Sequence, residues 1–104
     1  MYVTLLRSRK RAGFDAAAYD SDAERMEALA RTQKGFVAFR TYRADDGETL
    51  SMSEWQTEED ARAWQRNAEH VAVQGKGRSE YYETYTIYSC REPEVRSFNR
   101  KGDR

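Results

Sequence analysis

At 104 residues, with 38% hydrophobic and 35% charged side chains, the chain has material for one domain with a modest core. Eighteen basic residues balance eighteen acidic ones, so no net field draws the protein to nucleic acid or to an anionic membrane surface. The apolar runs are only a few residues long, which argues against a membrane-spanning helix. One cysteine with one histidine excludes an intrachain disulfide and a structural zinc site. The lone thiol, and a beginning that runs straight into a strand-like pattern without the shape of a signal peptide, point to a reducing cytoplasm.

Residues 2–9 alternate as a strand, with Val3 and Leu5 on one face and Tyr2, Thr4 and Leu6 on the other, and Gly13 breaks the pattern. From 15 to 32 the spacing is helical. Tyr19, Ala23, Met26 and Ala30 recur on one stripe with Leu29 beside them, and Asp22, Glu24, Arg25, Glu27 and Arg31 supply the wet side. Gly35 suits a left-handed helix exit. Residues 36–43 and 49–55 read as strands joined at Asp46-Gly47, a hairpin signal. Thr57 and Asp60 make a capping box for a second helix, which carries Ala61, Trp64 and Ala68 on one stripe. A further helical turn covers 69–74, Gly75 and Gly77 loosen the chain, and the last strand runs over 81–90, rich in tyrosine and threonine. Residues 91–104 are polar and unpatterned, which sets a domain over 1–92 and a tail over 93–104, frayed or laid as an arm on a partner.

The element order β-α-β-β-α-β is the ferredoxin-like α+β unit, an antiparallel sheet with its helices on one face. Both faces of that sheet carry apolar or aromatic residues. Phe36, Ala38 and Tyr42 fall opposite Val37 and Phe39, and Tyr82 and Tyr88 fall opposite Tyr81, Tyr85 and Ile87. Two helices cover one face only, so a second copy of the chain is expected to bury the other.

The stretches AERMEALARTQKGFVAFRTYR, ADDGETLSMSEW and EEDARAWQRNAEHVAVQGKGRSEYYETY carry a resemblance. So does the order Trp55, Trp64, Glu69-His70 and Gly77-Arg78 ahead of a tyrosine-rich strand. Over about residues 2–92 the chain resembles the antibiotic biosynthesis monooxygenase (ABM) family, in its YqjZ-like branch. The resemblance implies small ferredoxin-like chains that pair into a dimeric α/β barrel. The same fold hosts monooxygenases, haem-degrading enzymes and proteins without known activity, so function has to come from the site.

In the haem-degrading relatives the site is an asparagine on the first strand, a tryptophan on the second helix and a histidine ten residues beyond it. Trp64 matches the tryptophan, but Gln74 stands at the ligand position, and the chain's two asparagines, Asn67 and Asn99, are not on the first strand. An amide is a poor axial ligand for haem iron. In quinol-oxidising relatives a tyrosine lies six residues after the tryptophan and an asparagine four before it, and here His70 and Asp60 occupy those places. Those relatives are thought to deprotonate the substrate to an electron-rich anion that reduces dioxygen directly. That chemistry asks for a dry aromatic pocket, a base and hydrogen-bond donors.

The resemblance therefore implies a cofactor-independent monooxygenase acting on a small aromatic or quinol-like substrate. His70 is the candidate catalytic base. Trp64 as wall, with Asn67, Arg78 and Tyr82, are the candidate substrate-binding residues. No metal and no cofactor is expected. The expected partners are a second copy and a small aromatic or hydrophobic ligand, with no nucleic acid and no membrane. Two alternatives stand beside this reading: a non-catalytic dimer that binds or scavenges a hydrophobic metabolite, and a haem-binding or haem-degrading variant. Each residue also has a plainer role. Trp64 is a good core wedge between helix and sheet, and the tyrosine run has high strand propensity. The acidic run at 58–60 complements a helix N-terminus, GKGR lacks the spacing of a P-loop, and Cys90 has only Arg91 as a basic neighbour in sequence.

Overall fold

The computed structural model describes residues 1–101, the side chain of Ala68 excepted. Four strands, β1 (Tyr2–Lys10), β2 (Phe36–Arg43), β3 (Thr49–Trp55) and β4 (Tyr82–Arg91), form one antiparallel sheet in the order β2-β3-β1-β4. Three helices, α1 (Ala16–Arg31), α2 (Glu58–Gln65) and α3 (Ala68–Lys76), and a π-helical turn, Gly77–Tyr81, complete the fold. The strand order and pairing are those expected of a ferredoxin-like α+β unit.

Local chemistry sets the element ends. Asp15 caps α1 by accepting from the Ala18 amide at 3.0 Å, and Thr57 caps α2 by accepting from the Asp60 amide at 3.1 Å. Glu58, Glu59 and Asp60 fill the first turn of α2, where carboxylates meet the positive end of the helix dipole. The second helical segment breaks after Gln65. Asn67 restarts it as α3, its Oδ1 accepting from the amides of Glu69 and His70 at 3.0 and 3.3 Å. Gly75 and Gly77 do not loosen the chain as expected, since Gly75 lies inside α3 and Gly77 is buried at the head of the π turn. Gly35 does adopt φ +81°, but at the entry to β2, because α1 already ends at Thr32.

Two bulges correct the expected strand faces. On β2 the pairing passes from Phe36 opposite Trp55 to Ala38 opposite Glu54, so Val37 is the extra residue. Phe36 therefore shares the helix-covered face with Phe39 and not with Ala38 and Tyr42. On β4 the pairing jumps from Thr84 opposite Arg9 to Tyr82 opposite Lys10, leaving Glu83 extra. Tyr82 and Tyr85, three residues apart, thereby both point under the helices, while Tyr88 turns to the open face. A bulge re-aims side chains in this way, and simple alternation from sequence does not register it. Tyr81 is in the π turn and not on the strand.

The core lies at one end of the helix-covered face. Tyr2, Met26, Ala30, Trp55, Ala61 and Trp64 form a buried cluster against which Leu29, Phe36 and Val73 pack, and Trp55 is 1% exposed. The open face of the sheet aligns Val3, Leu5 and Arg7 on β1 with Glu54, Met52 and Leu50 on β3 and with Cys90, Tyr88 and Thr86 on β4. Beyond β4, the Glu92 amide returns to the Met1 carbonyl at 3.0 Å, and no helix or strand follows among the described residues. Residues 102–104 of the expected tail lie outside them.

Candidate functional site

Along the helix-covered face the helices stand off the sheet and border a half-open cavity of about 730 Å³, a volume in the range of small-molecule sites. The apolar stripe of α1 looks into it through Tyr19, Ala23, Met26 and Ala30, and β1 contributes Thr4, Leu6 and Lys10. The two ends of the cavity differ in chemistry. Trp55 pairs with Tyr2 at the start of β1, and Tyr82 pairs with Lys10 at its finish, about 26 Å apart on an extended strand.

At the Trp55 end the aromatic rings form a column. Phe36 meets Trp55 edge-on with centroids 5.6 Å apart, Trp55 stacks on Trp64 at 6.2 Å, and Trp64 stacks on His70 at 4.3 Å with an interplanar angle of 15°. The break between α2 and α3 creates this arrangement. The Asn67 amide donates to the Trp64 carbonyl at 3.0 Å, and the turned chain brings the His70 ring back over the indole. Nδ1 of His70 lies 3.1 Å from the same carbonyl. A carbonyl only accepts, so Nδ1 carries hydrogen, and in the neutral imidazole Nε2 keeps its lone pair. Burial pushes the His70 pKa below its ordinary value, outweighing the opposite pull of the Trp64 carbonyl.

At the other end four tyrosines converge. Tyr19 meets Tyr81 and Tyr82 edge-on at 5.2 and 6.2 Å, and Tyr82 meets Tyr85 at 5.7 Å. Desolvation, and then the neighbouring Tyr19, push the Tyr82 hydroxyl well above the usual phenolic range, so it stays protonated and able to donate. Tyr81 donates to Asp22 Oδ2 at 2.6 Å, and Lys76 and Arg25 close the same carboxylate at 3.1 and 3.2 Å, tying α3 and the π turn to α1. The Lys10 ammonium lies 4.4 Å from the centroid of Tyr19 and 5.3 Å from that of Tyr82.

Trp64, His70, Arg78 and Tyr82 all line this one cavity, and Gln74 lines it too. Asn67 does not line it. Its side chain is occupied in capping α3, so it acts on the cavity only by placing His70. Asp60 also stays outside. Its carboxylate lies against Gly35, where an added Cβ would come within 2.0 Å of Oδ2. Lys10, Tyr19 and the Asp22 partnership of Tyr81 escaped the sequence reading. The α1 stripe carried a signal for Tyr19, but nothing local marks Lys10. A second cleft, about 550 Å³, is lined by Tyr2, Arg62, Gln65, Ser89 and Arg91, and both of its arginines are bound to Glu58. Among the described residues no cluster of histidine, cysteine, aspartate or glutamate could hold a metal, and no helix is long and apolar enough to cross a membrane.

A four-stranded antiparallel sheet with its helices on one face and an aromatic cavity between them defines a ferredoxin-like α+β protein. Residues 1–76 match the family described as antibiotic biosynthesis monooxygenase, and the chain belongs to that family. It is 38% identical over 69 residues to the uncharacterized protein YqjZ of Bacillus subtilis (strain 168), a match covering 66% of this chain. The match spans 60% of the length of that curated relative. Among solved structures, SnoaB, a cofactor-independent oxygenase from Streptomyces nogalater, superposes with a TM-score of 0.74 at 16% identity, covering 90% of this chain and 94% of that one. Rv0793 from Mycobacterium tuberculosis superposes with a TM-score of 0.79 at 11% identity, covering 92% and 98%. At such identities these two likenesses establish the shared fold alone.

Proposed function

We propose that the protein is a cofactor-independent monooxygenase acting on a small phenolic or quinol-like aromatic molecule held between the helices and the sheet. The observation that carries this reading is the pair Trp64 and His70. A neutral imidazole, its Nδ1 fixed on the Trp64 carbonyl and its face stacked on the indole, offers Nε2 as a base in the cavity. Removing a phenolic proton makes the ring electron-rich enough to reduce dioxygen. One oxygen atom enters the ring, and the other leaves as water with the two hydrogens the substrate gives up. In this reading Arg78, which lines the cavity, is the candidate donor to the anionic oxygen, and Tyr82, kept protonated by its surroundings, is a candidate donor to a substrate group at the far end. The cofactor-independent activity of SnoaB, on the same fold, is consistent with this chemistry.

The working unit in this reading is a homodimer. The open face of the sheet presents Val3, Leu5, Leu50, Met52 and the exposed Tyr42 and Tyr88, and a second copy would bury them.

A binding-only role is the rival. It draws support from Asp60, which turns to Gly35 and leaves the cavity without a donor at the place where quinol-oxidising relatives have asparagine. Haem has less in its favour, because Gln74 stands where those relatives have their iron ligand. Oxygen uptake over a panel of naphthols and naphthoquinols, with Trp64→Ala and His70→Ala beside wild type, separates the first two readings. Binding without turnover supports the rival, and a stoichiometric Soret band on adding hemin supports haem.

A further inference from the structure

We infer that Lys10 is an anion-recognition residue of the cavity, and that it directs the site toward aromatic acids whose anionic oxygen meets the Lys10 ammonium. The inference rests on the reading of this cavity as a ligand site and adds the substrate class.

Lys10 is the last residue of β1 and faces the cavity, half-buried, between the rings of Tyr19 and Tyr82. An ammonium has three donors and no acceptor, and it is strongly hydrated in water. Ring faces attract the charge but do not accept its hydrogens as an oxygen does. Among the described residues Lys10 makes no ion pair, whereas Lys76, the ammonium beside Tyr81, is closed by Asp22 at 3.1 Å. The cations flanking Lys10 in sequence are also engaged elsewhere. Arg9 turns to the opposite face and binds Asp46 at 2.7 Å, and Arg11 donates to the Glu80 carbonyl at 2.7 Å.

The carboxylates of α1 do not pair with Lys10. Asp22 is taken by Tyr81, Lys76 and Arg25, Glu27 is paired with Arg31, and Asp20 and Glu24, which also line the cavity, are exposed to water. The Glu83 bulge brings Tyr82 and Tyr85 onto one face, so flat aromatic surface lies beside the unpaired ammonium. A planar ring carrying an anionic oxygen matches both features.

Two probes of the same shape and different charge test this: 2-naphthoate and 2-naphthamide, with binding followed by isothermal titration calorimetry. The wild-type chain is expected to bind the carboxylate at least about tenfold more tightly than the amide. Lys10→Met is expected to abolish that preference while leaving amide affinity within about twofold, and Lys10→Arg to retain it. Circular dichroism establishes that each variant is folded, and Lys10→Arg keeps the comparison decisive if Lys10→Met does not fold. Binding of both probes without preference in wild type, or an undiminished preference in Lys10→Met, overturns the proposal and leaves the cavity reading standing. Binding of neither probe overturns both.

Discussion

The imidazole of His70 lies flat on the indole of Trp64, 4.3 Å between centroids, and Nδ1 of the same ring lies 3.1 Å from the Trp64 carbonyl. One residue thus supplies both the face on which the histidine stacks and the acceptor that fixes its tautomer. Because burial is the larger influence, the ring is held neutral at physiological pH.

The chain has one histidine, so its Hε1 resonance can be followed through a titration without ambiguity. The midpoint is expected below 6.5, the ordinary value. Trp64→Ala opens the ring to water and is expected to raise the midpoint toward that value. The stability linkage has a definite sign. The unfolded chain takes up this proton first as pH falls, so the His70 contribution is complete above about 6.5 and is lost as pH drops through the folded value. Urea melts between pH 8 and 5 should show that decline in wild type and a shallower one in His70→Phe.

Tyr81→Phe removes the donor to Asp22 and is expected to cost about 1–2 kcal/mol in urea unfolding near neutral pH. The hydrogen bond from Tyr81 is the largest influence holding the Asp22 carboxyl below its ordinary range, with Lys76 and Arg25 adding to it against desolvation. That stability is complete above the ordinary value of 3.8 and is lost as pH falls through the depressed one. Acid unfolding of Tyr81→Phe should therefore begin at higher pH than that of wild type.

Gly35→Ala meets two obstacles together. The backbone sits at φ +81°, and the new Cβ would come within 2.0 Å of the Asp60 carboxylate. A loss of about 2 kcal/mol or more is expected, read as a lower thermal midpoint. Gly47→Ala, at φ +91° with nothing near the added atom, should cost less. Equal losses at the two sites would remove Asp60 from this account.

Met52 lies on the open sheet face, paired with Leu5 on one side and Arg40 on the other. If a second copy covers that face, Met52→Lys should convert the protein from dimer to folded monomer in sedimentation at low micromolar concentration. A wild-type chain that sediments as a monomer would remove the explanation offered for these apolar residues.

The elements were legible in the sequence wherever local chemistry decides them. The α1 stripe and the Asp46-Gly47 hairpin set the bounds of α1, β2 and β3 to within a residue, and the Thr57 cap marks the start of α2. The faces of β2 and β4 were not legible, because an extra residue at Val37 or Glu83 shifts register without a local signature. Trp64 and His70 could be named from the family resemblance, yet their stacking depends on the break at Arg66-Asn67, where the expected ligand contact of Asn67 gives way to a cap. Lys10 had no signal at all, since its environment comes from Tyr19 on α1 and Tyr82 on β4.

The most direct test of the central claim uses chelator-treated protein, 1-naphthol and isotopically labelled dioxygen. The account predicts consumption of dioxygen with one labelled atom in the naphthoquinone product and the other in water. It also predicts a loss of at least about a hundredfold in rate for His70→Ala, as for a missing general base. Labelled product formed at the same rate by wild type and His70→Ala would contradict the role of His70. No turnover of any naphthol or naphthoquinol, with those same compounds bound in the cavity, would contradict the oxygenase itself.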